Sequence, residues 1–395
     1  MKRNILNSVV LIMNILILVS MTKCSHNEIE EKVTLNEDKD LLSFMLETEA
    51  NSGNYQETKS NTWPSDDYVF NTELSKCEKG SSLSWDSTKK TVVMMGNSAD
   101  RCYVYFDVKP PEYLVDHIKS LYTTQGVNNL YLHDSTLTNG AGDNSYRYAG
   151  SSETTNNFVC FGYDSTDGSC STDYLYRIIG VFDNQVKLIK YDYANTNLLG
   201  GSGLTMSISS TYKGELETVN EYYGNRAVIL DETYLKSIGE IWSNKIATHT
   251  WMIGGNTISN IVETLPPTSY KNEILSPSIN RVIEGKISLM YVSDYGYAAA
   301  PSAWVIPFFA DNKSDYRLSS VTSVNWMYMG LSEWTVTPLD GVGFNNDYNY
   351  SIFNEGVVYI RDLQGSCAIR PVFYLNSDVT YVSGNGTKNE PFIIN

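Results

Sequence analysis

Alternating apolar and polar positions recur through the second half of the chain, at 174–182 (YLYRIIGVF), 185–193 (QVKLIKYDY), 227–231 (AVILD), 286–298 (KISLMYVSDYGYA), 325–330 (NWMYMG), 333–338 (EWTVTP), 356–360 (GVVYI) and 370–376 (RPVFYLN). Runs of this length and composition, bounded by Gly, Asn and Asp, predict strands. Asp183-Asn184 between the first two runs predicts a tight hairpin. Further upstream, 81–101 (SSLSWDSTKKTVVMMGNSADR) reads as strand, polar turn at Asp86 to Lys90, strand and turn, with 102–108 (CYVYFDV) as a third strand.

Helical spacing is rarer. It marks 38–50 (DKDLLSFMLETEA), where Leu41, Leu42, Phe44 and Met45 form a stripe, and 112–123 (EYLVDHIKSLYT), with Tyr113, Leu114, Val115, Ile118, Leu121 and Tyr122 on one side. A third helix is expected to open at Asp231-Glu232, acidic residues that suit the positive end of a helix, and to run through Ile238, Ile241, Trp242 and Ile246. The segment Asn256 to Arg281, with Pro266, Pro267 and Pro277, reads as an irregular surface excursion. His117, between Asp116 and Lys119, reads as an exposed polar histidine.

The amino terminus sets the compartment. Met1-Lys2-Arg3 followed by the apolar run Ile5 to Met21 is the pattern of an export signal, with an uncleaved anchor as the alternative because the run is slightly short for a span of about 20 residues. Cys24 adds lipidation as a third reading, against which Lys23 stands where small residues are usual. The resulting division is a signal peptide or anchor at 1–24, a polar linker with a short helix at 25–65, a small β domain at 66–108, a helical connector at 109–132 and one large domain at 133–395.

Composition narrows the partners. The chain has 42% hydrophobic residues, 29 tyrosines and a formal charge of −16, spread along its length and not gathered in a tail. Phosphate backbones demand clustered Lys and Arg, so nucleic acid is excluded as a partner; a membrane enters only through the amino-terminal segment. Cys77 and Cys102 bracket the predicted strands, and a disulfide there would stabilise a small unit by roughly 3 kcal/mol. Cys160 and Cys170 flank a turn-rich loop and are expected to form a second bridge. Cys367 is left over and reads as a small buried core residue.

Candidate chemistry lies in the loops. An aromatic group between 300 and 350, comprising Trp304, Trp326, Tyr328, Trp334, Phe344, Tyr348 and Tyr350 with Asp340 and Asn346 beside it, has the composition of a sugar- or peptide-binding face. Asp134, Asn139, Asp143 and Asn144 in one loop, and Asp340, Asn345, Asn346 and Asp347 in another, supply oxygen ligands of the kind Ca2+ uses. Turn chemistry accounts for them equally well, and no other cofactor or metal is expected. For a glycan hydrolase the first carboxylates to test are Glu333, Asp340 and Asp294.

The runs 143–150 (DNSYRYAG), 158–162 (FVCFG), 173–190, 241–251 (IWSNKIATHTW), 325–335 and 369–394 resemble a group of exported proteins from gut Firmicutes and Mollicutes-like bacteria. The likeness covers most of residues 35 to 395. Through the terminal Gly365-x-x-x-x-Arg370-Pro371 run and the strands after it, the large domain is also similar to the sulfatase-modifying branch of the C-type-lectin-like fold, which contains formylglycine-generating enzyme. The resemblance implies an α+β chain in which a small disulfide-closed β unit precedes a β-rich lectin-like domain with two or more helices. Oxidase activity does not carry over. That enzyme binds copper through a closely spaced cysteine pair near the carboxyl terminus, and Cys367 stands alone. Arg370 is then expected to be a buried guanidinium of the scaffold. What remains is a secreted or surface-anchored protein that binds a glycan or surface protein, with a secreted glycan hydrolase as the alternative.

Overall fold

The computed structural model describes residues 42–58, 64–89, 91–96, 99–162, 170–195, 205–207, 234–261, 264–277, 282–307, 322–340, 348–363 and 365–395. The export signal, Cys24, Leu41, Asp231-Glu232 and the loop positions Phe344, Asn345, Asn346 and Asp347 lie outside them. The protein is mixed α/β and strand-rich, with two disulfides, Cys77–Cys102 and Cys160–Cys170. It divides into two compact units, Met1–Pro111 and Glu112–Asn395.

The smaller unit contains β1 (Leu42–Glu47), β2 (Tyr55–Thr58), β3 (Tyr68–Cys77), β4 (Ser82–Asp86), β5 (Thr91–Met95) and β6 (Cys102–Val108). Its main sheet runs β2-β1-β6-β3. The helix expected around Phe44 is therefore a strand. β1 runs parallel to β6 with Phe44 opposite Val104, and antiparallel to β2, so neighbouring strands supply the backbone partners that a lone turn of helix would have had to find within itself. Phe44 joins Val92, Met94, Cys102, Val104 and Phe106 in a core of six buried residues.

Glu47 ends β1 almost fully buried because its carboxylate accepts the backbone N–H groups of Gly53 (2.9 Å) and Val108 (3.0 Å). β4 and β5 form the expected hairpin, turned by Asp86, whose Oδ1 accepts the N–H groups of Thr88 and Lys89. The third strand leaves this hairpin and pairs with β1 and β3, which sets Cys102 directly opposite Cys77.

The larger unit is built on β7 (Glu112–Tyr113), β8 (Leu130–Leu132), β9 (Tyr146–Tyr148), β10 (Phe158–Cys160), β11 (Leu175–Phe182), β12 (Gln185–Lys190), β13 (Thr205–Ser207), β14 (His249–Met252), β15 (Val282–Gly285), β16 (Ile287–Ser288), β17 (Glu333–Pro338), β18 (Tyr348–Ile352), β19 (Val358–Asp362), β20 (Ser366–Ala368), β21 (Val372–Tyr374), β22 (Thr380–Ser383) and β23 (Phe392–Ile394). One sheet runs β16-β21-β12-β11-β10-β23-β22-β7, with β9 and then β8 attached at β11. A second runs β13-β20-β17-β18-β19. The β11–β12 hairpin turns at Asp183, which adopts φ +53° as a two-residue turn requires.

The helix Leu114–Ser120 buries Leu114, Val115 and Ile118 in this unit's core. On it, His117 is half-buried: its ring stacks on Tyr381 at 3.5 Å and Nδ1 lies 2.8 Å from Glu112. The helical pattern at 235–246 breaks at Gly239 (φ +88°) into two single turns, Leu235–Ile238 and Glu240–Ser243.

Two other expectations change. The segment after Asn256 is no surface excursion: Pro266–Tyr270 is helical, continues into a wider turn at Lys271–Leu275, and buries Pro266, Ser269, Tyr270 and Glu273. The run at 286–298 is a strand only at its start and becomes the helix Val292–Ala298, in which every residue is buried. A segment buried on every side shows no clear period to separate strand from helix, and here Asp294 accepts the N–H of Tyr291 (3.0 Å) at the helix start.

Candidate binding pocket

An open pocket of about 490 Å³ lies where β11 and β12 emerge from the large sheet. Phe161 and Gly162 follow β10; Asp173 and Tyr174 precede β11; Tyr176 is within it; Lys190 ends β12, and Asp192 to Asn195 continue from it. Tyr234, Ser237 and Ile238 close the other side. The Cys160–Cys170 bridge ties two of these walls together, and Phe161 N–H donates to Tyr174 O (2.8 Å) between them. Gly162 has φ +95°, and a Cβ there would stand 3.0 Å from the Tyr174 ring, so glycine permits both the turn and the ring's position.

The floor is aromatic and tightly tied. Tyr176 and Tyr234 share a hydroxyl–hydroxyl hydrogen bond of 2.7 Å, and Phe161 packs edge-on to Tyr176. Burial pushes both phenols above their ordinary range, so they stay neutral. Tyr193 Oη accepts the N–H of Leu331 (2.8 Å). Lys190 is nearly buried, donates to Asp173 O (3.1 Å) and lies 5.7 Å from the Tyr176 ring centre. Desolvation lowers its pKa, with Asp173 and Asp192 opposing. At the rim Tyr174 leaves a ring 40% exposed, beside the exposed Asp173, Asp192 and Asn195. Such a surface offers a flat apolar face, one amine, two carboxylates and an amide, the mixture a hydroxyl-rich ligand needs.

The core takes four rings of the aromatic group of residues 300 to 350. Trp304, Trp326 and Trp334 are core residues. Trp304 donates its indole N–H to Ala299 O (2.8 Å), Trp326 donates to Tyr148 O (2.8 Å) beneath the Arg177 guanidinium, and Trp334 lies inside the second sheet. Tyr350 is also buried and donates to Asn256 O (2.9 Å). Tyr328, Asp340 and Tyr348 are half-buried, and Tyr328 donates to Asn354 O (2.7 Å). Phe344 and Asn346 lie outside the described residues.

In the first expected calcium loop the oxygens serve local partners. Asp134 caps its own turn through Thr136, while Asn139 and Asn144 take left-handed turn positions. Asp143 accepts from Ser145, Tyr270 and Arg147; burial alone would raise its carboxyl, but the guanidinium and these hydroxyls hold it well below the usual range. Among the described residues no three His, Cys, Asp or Glu side chains gather as a metal site.

The candidate carboxylates for hydrolysis are likewise engaged. Glu333 accepts from Arg370 Nε at 2.9 Å through both oxygens, and Arg370 also donates to Met327 O (2.6 Å), which makes it the buried scaffold guanidinium expected. Asp294 pairs with Lys187. Cys367 is buried on β20, and burial pushes its thiol up to about 12, far from a reactive thiolate. Sequence reasoning missed the pocket because Tyr176 and Lys190 sit in runs that read as ordinary core strand and Phe161 opens what reads as a turn-rich loop. The one available signal was the end of β12, where Lys190, Tyr191, Asp192 and Tyr193 crowd polar and aromatic groups past the last strand residue.

No family model, curated protein or solved structure matches this chain. Among the described residues no helix is long and apolar enough to cross a membrane.

Proposed function

We propose that this is an exported bacterial binding protein that recognises a glycan, free or carried on a surface protein, through the pocket at the ends of β11 and β12. The observation that carries the reading is the open concavity of about 490 Å³ with the exposed Tyr174 ring on one side and Lys190, Asp173, Asp192 and Asn195 around it. Sugars stack a C–H face on such a ring and spend their hydroxyls on carboxylate, amide and amine groups. Two disulfides support work outside the cytosol, where such bonds persist. A lectin-like fold, resting on the sequence likeness around Gly365 to Pro371, and kinship with exported proteins of gut bacteria, resting on runs such as 143–150 and 173–190, belong to the same proposal.

A glycan array probed with residues 25–395 tests it. Binding should be retained by Trp334→Phe and lost, by about tenfold or more in affinity, in Tyr174→Ala, since stacking on one ring contributes on the order of 1–3 kcal/mol. Equal binding by Tyr174→Ala and Lys190→Met variants would move the ligand away from this pocket.

A further inference from the structure

Lys187 on β12 and Asp294 at the start of the helix Val292–Ala298 are 107 residues apart in sequence, yet Lys187 Nζ lies 2.6 Å from Asp294 Oδ2. Both side chains are 1% exposed. Around the nitrogen stand the rings of Tyr291 (4.8 Å), Phe182 (5.4 Å), Tyr374 (5.5 Å) and Trp251 (5.8 Å). An ammonium carries three donors, and among the described residues one hydrogen bond serves it while aromatic faces stand around it. Arg370, another deeply buried cation with a carboxylate partner, is held instead by Glu333 and by a backbone carbonyl. A pair of full charges held in so dry and poorly donating a site bears a large desolvation cost.

We propose that Lys187 and Asp294 are joined by an intramolecular amide bond between Nζ and Cγ. Such a bond fits the surroundings better than the ion pair does. A secondary amide has one N–H and one carbonyl; the protonated Oδ2 departs, the remaining oxygen becomes the carbonyl available to the Tyr291 N–H that Oδ2 now serves at 3.0 Å, and the lone N–H faces the rings. Both charges leave the core.

The chemistry balances without an oxidant or a cofactor. A proton passes along the 2.6 Å hydrogen bond from ammonium to carboxylate, giving a neutral amine and a neutral acid. The nitrogen lone pair attacks Cγ, a C–N bond forms, the bond from Cγ to the protonated oxygen breaks, and the hydroxyl departs with a second proton from nitrogen as water. Fixing the two groups at this distance keeps nitrogen near the separation of roughly 3–3.5 Å from which such attack proceeds. Burial favours the neutral amine by lowering the Lys187 pKa, and the same exclusion of water protects the product from hydrolysis. The bond would tie β12 to the helix Val292–Ala298, a third covalent closure beside the two disulfides.

Peptide mapping of the purified full chain, reduced and denatured, decides the matter. The expected result is a branched peptide in which the segment containing Lys187 is linked to the segment containing Asp294, one water lighter than the two together, with no tryptic cleavage after Lys187. Two separate linear peptides with unmodified Lys187 and Asp294 would overturn the proposal. A Lys187→Met variant should lose the branched peptide entirely; a one-water deficit that persists there overturns it as well. If that core variant fails to fold, the map of the natural chain still gives the answer.

Discussion

The two units of this protein weight their means of stability differently. The smaller has a core of six buried residues and closes its sheet covalently, with Cys77 and Cys102 opposite each other on β3 and β6. The larger buries dozens of apolar side chains and places charged groups among them: Arg147, Arg177, Lys187, Glu273, Asp294, Glu333 and Arg370 are all nearly or fully inaccessible. A small unit gains most from restricting its unfolded chain, because it has little area to bury. A large one can accommodate the cost of desolvating ions, provided each finds a partner.

The sharpest break in that comparison should come from unpairing a buried ion in the large unit. Arg370→Ala leaves Glu333 without its guanidinium, and we expect a loss of about 3–5 kcal/mol in that unit's stability, read by calorimetry or denaturant melting. A loss below about 1 kcal/mol would show that the pair contributes little beyond its packing.

Next in size is the small unit's bridge. Replacing both Cys77 and Cys102 with Ala should cost about 3 kcal/mol and open 42–108 to proteases while the larger unit keeps its melting transition. Equal destabilisation of both transitions would contradict the separation of the two strategies.

Glu273 sharpens the comparison through pH. Its carboxyl accepts hydrogen bonds from Ser269 (2.9 Å), Thr337 (2.9 Å), Asn256 (3.2 Å) and the Ser293 N–H (3.1 Å), yet burial outweighs them and pushes it from 4.5 up to about 7. Between those values the folded chain keeps a proton that the unfolded chain has released, so stability falls as pH rises through the window and is regained as pH is lowered. The full effect amounts to at most about 3 kcal/mol. A Glu273→Gln variant should flatten this slope between pH 4.5 and 7.5, leaving the small unit's transition unchanged; an unchanged slope would assign the pH dependence to other groups.

Much of the architecture was legible in local pattern. The hairpins at Asp86 and Asp183, the strands at β11, β12, β17, β19 and β21, and both disulfides follow from turn residues, alternation and cysteine placement. Where the reading went astray, a long-range partner outweighed local preference. Phe44 stands in a strand because β2 and β6 flank it, and at Val292 a helix begins where Asp294 caps the chain through the Tyr291 N–H. The tryptophans of residues 300 to 350 are core, and the indole N–H groups of Trp304 and Trp326 find their backbone carbonyls only in the folded chain.

By itself the sequence determined the strand-rich class, the two disulfides and the scaffold roles of Arg370 and Cys367, because each depends on residue type and short spacing. Tertiary structure alone decided which side chains meet. Tyr174, Lys190 and Tyr234 gather around one pocket, and Lys187 comes to lie 2.6 Å from Asp294, through sheet pairing and helix packing across long stretches of chain. Periodicity records which face of a segment is buried, and it carries no record of what that face will touch.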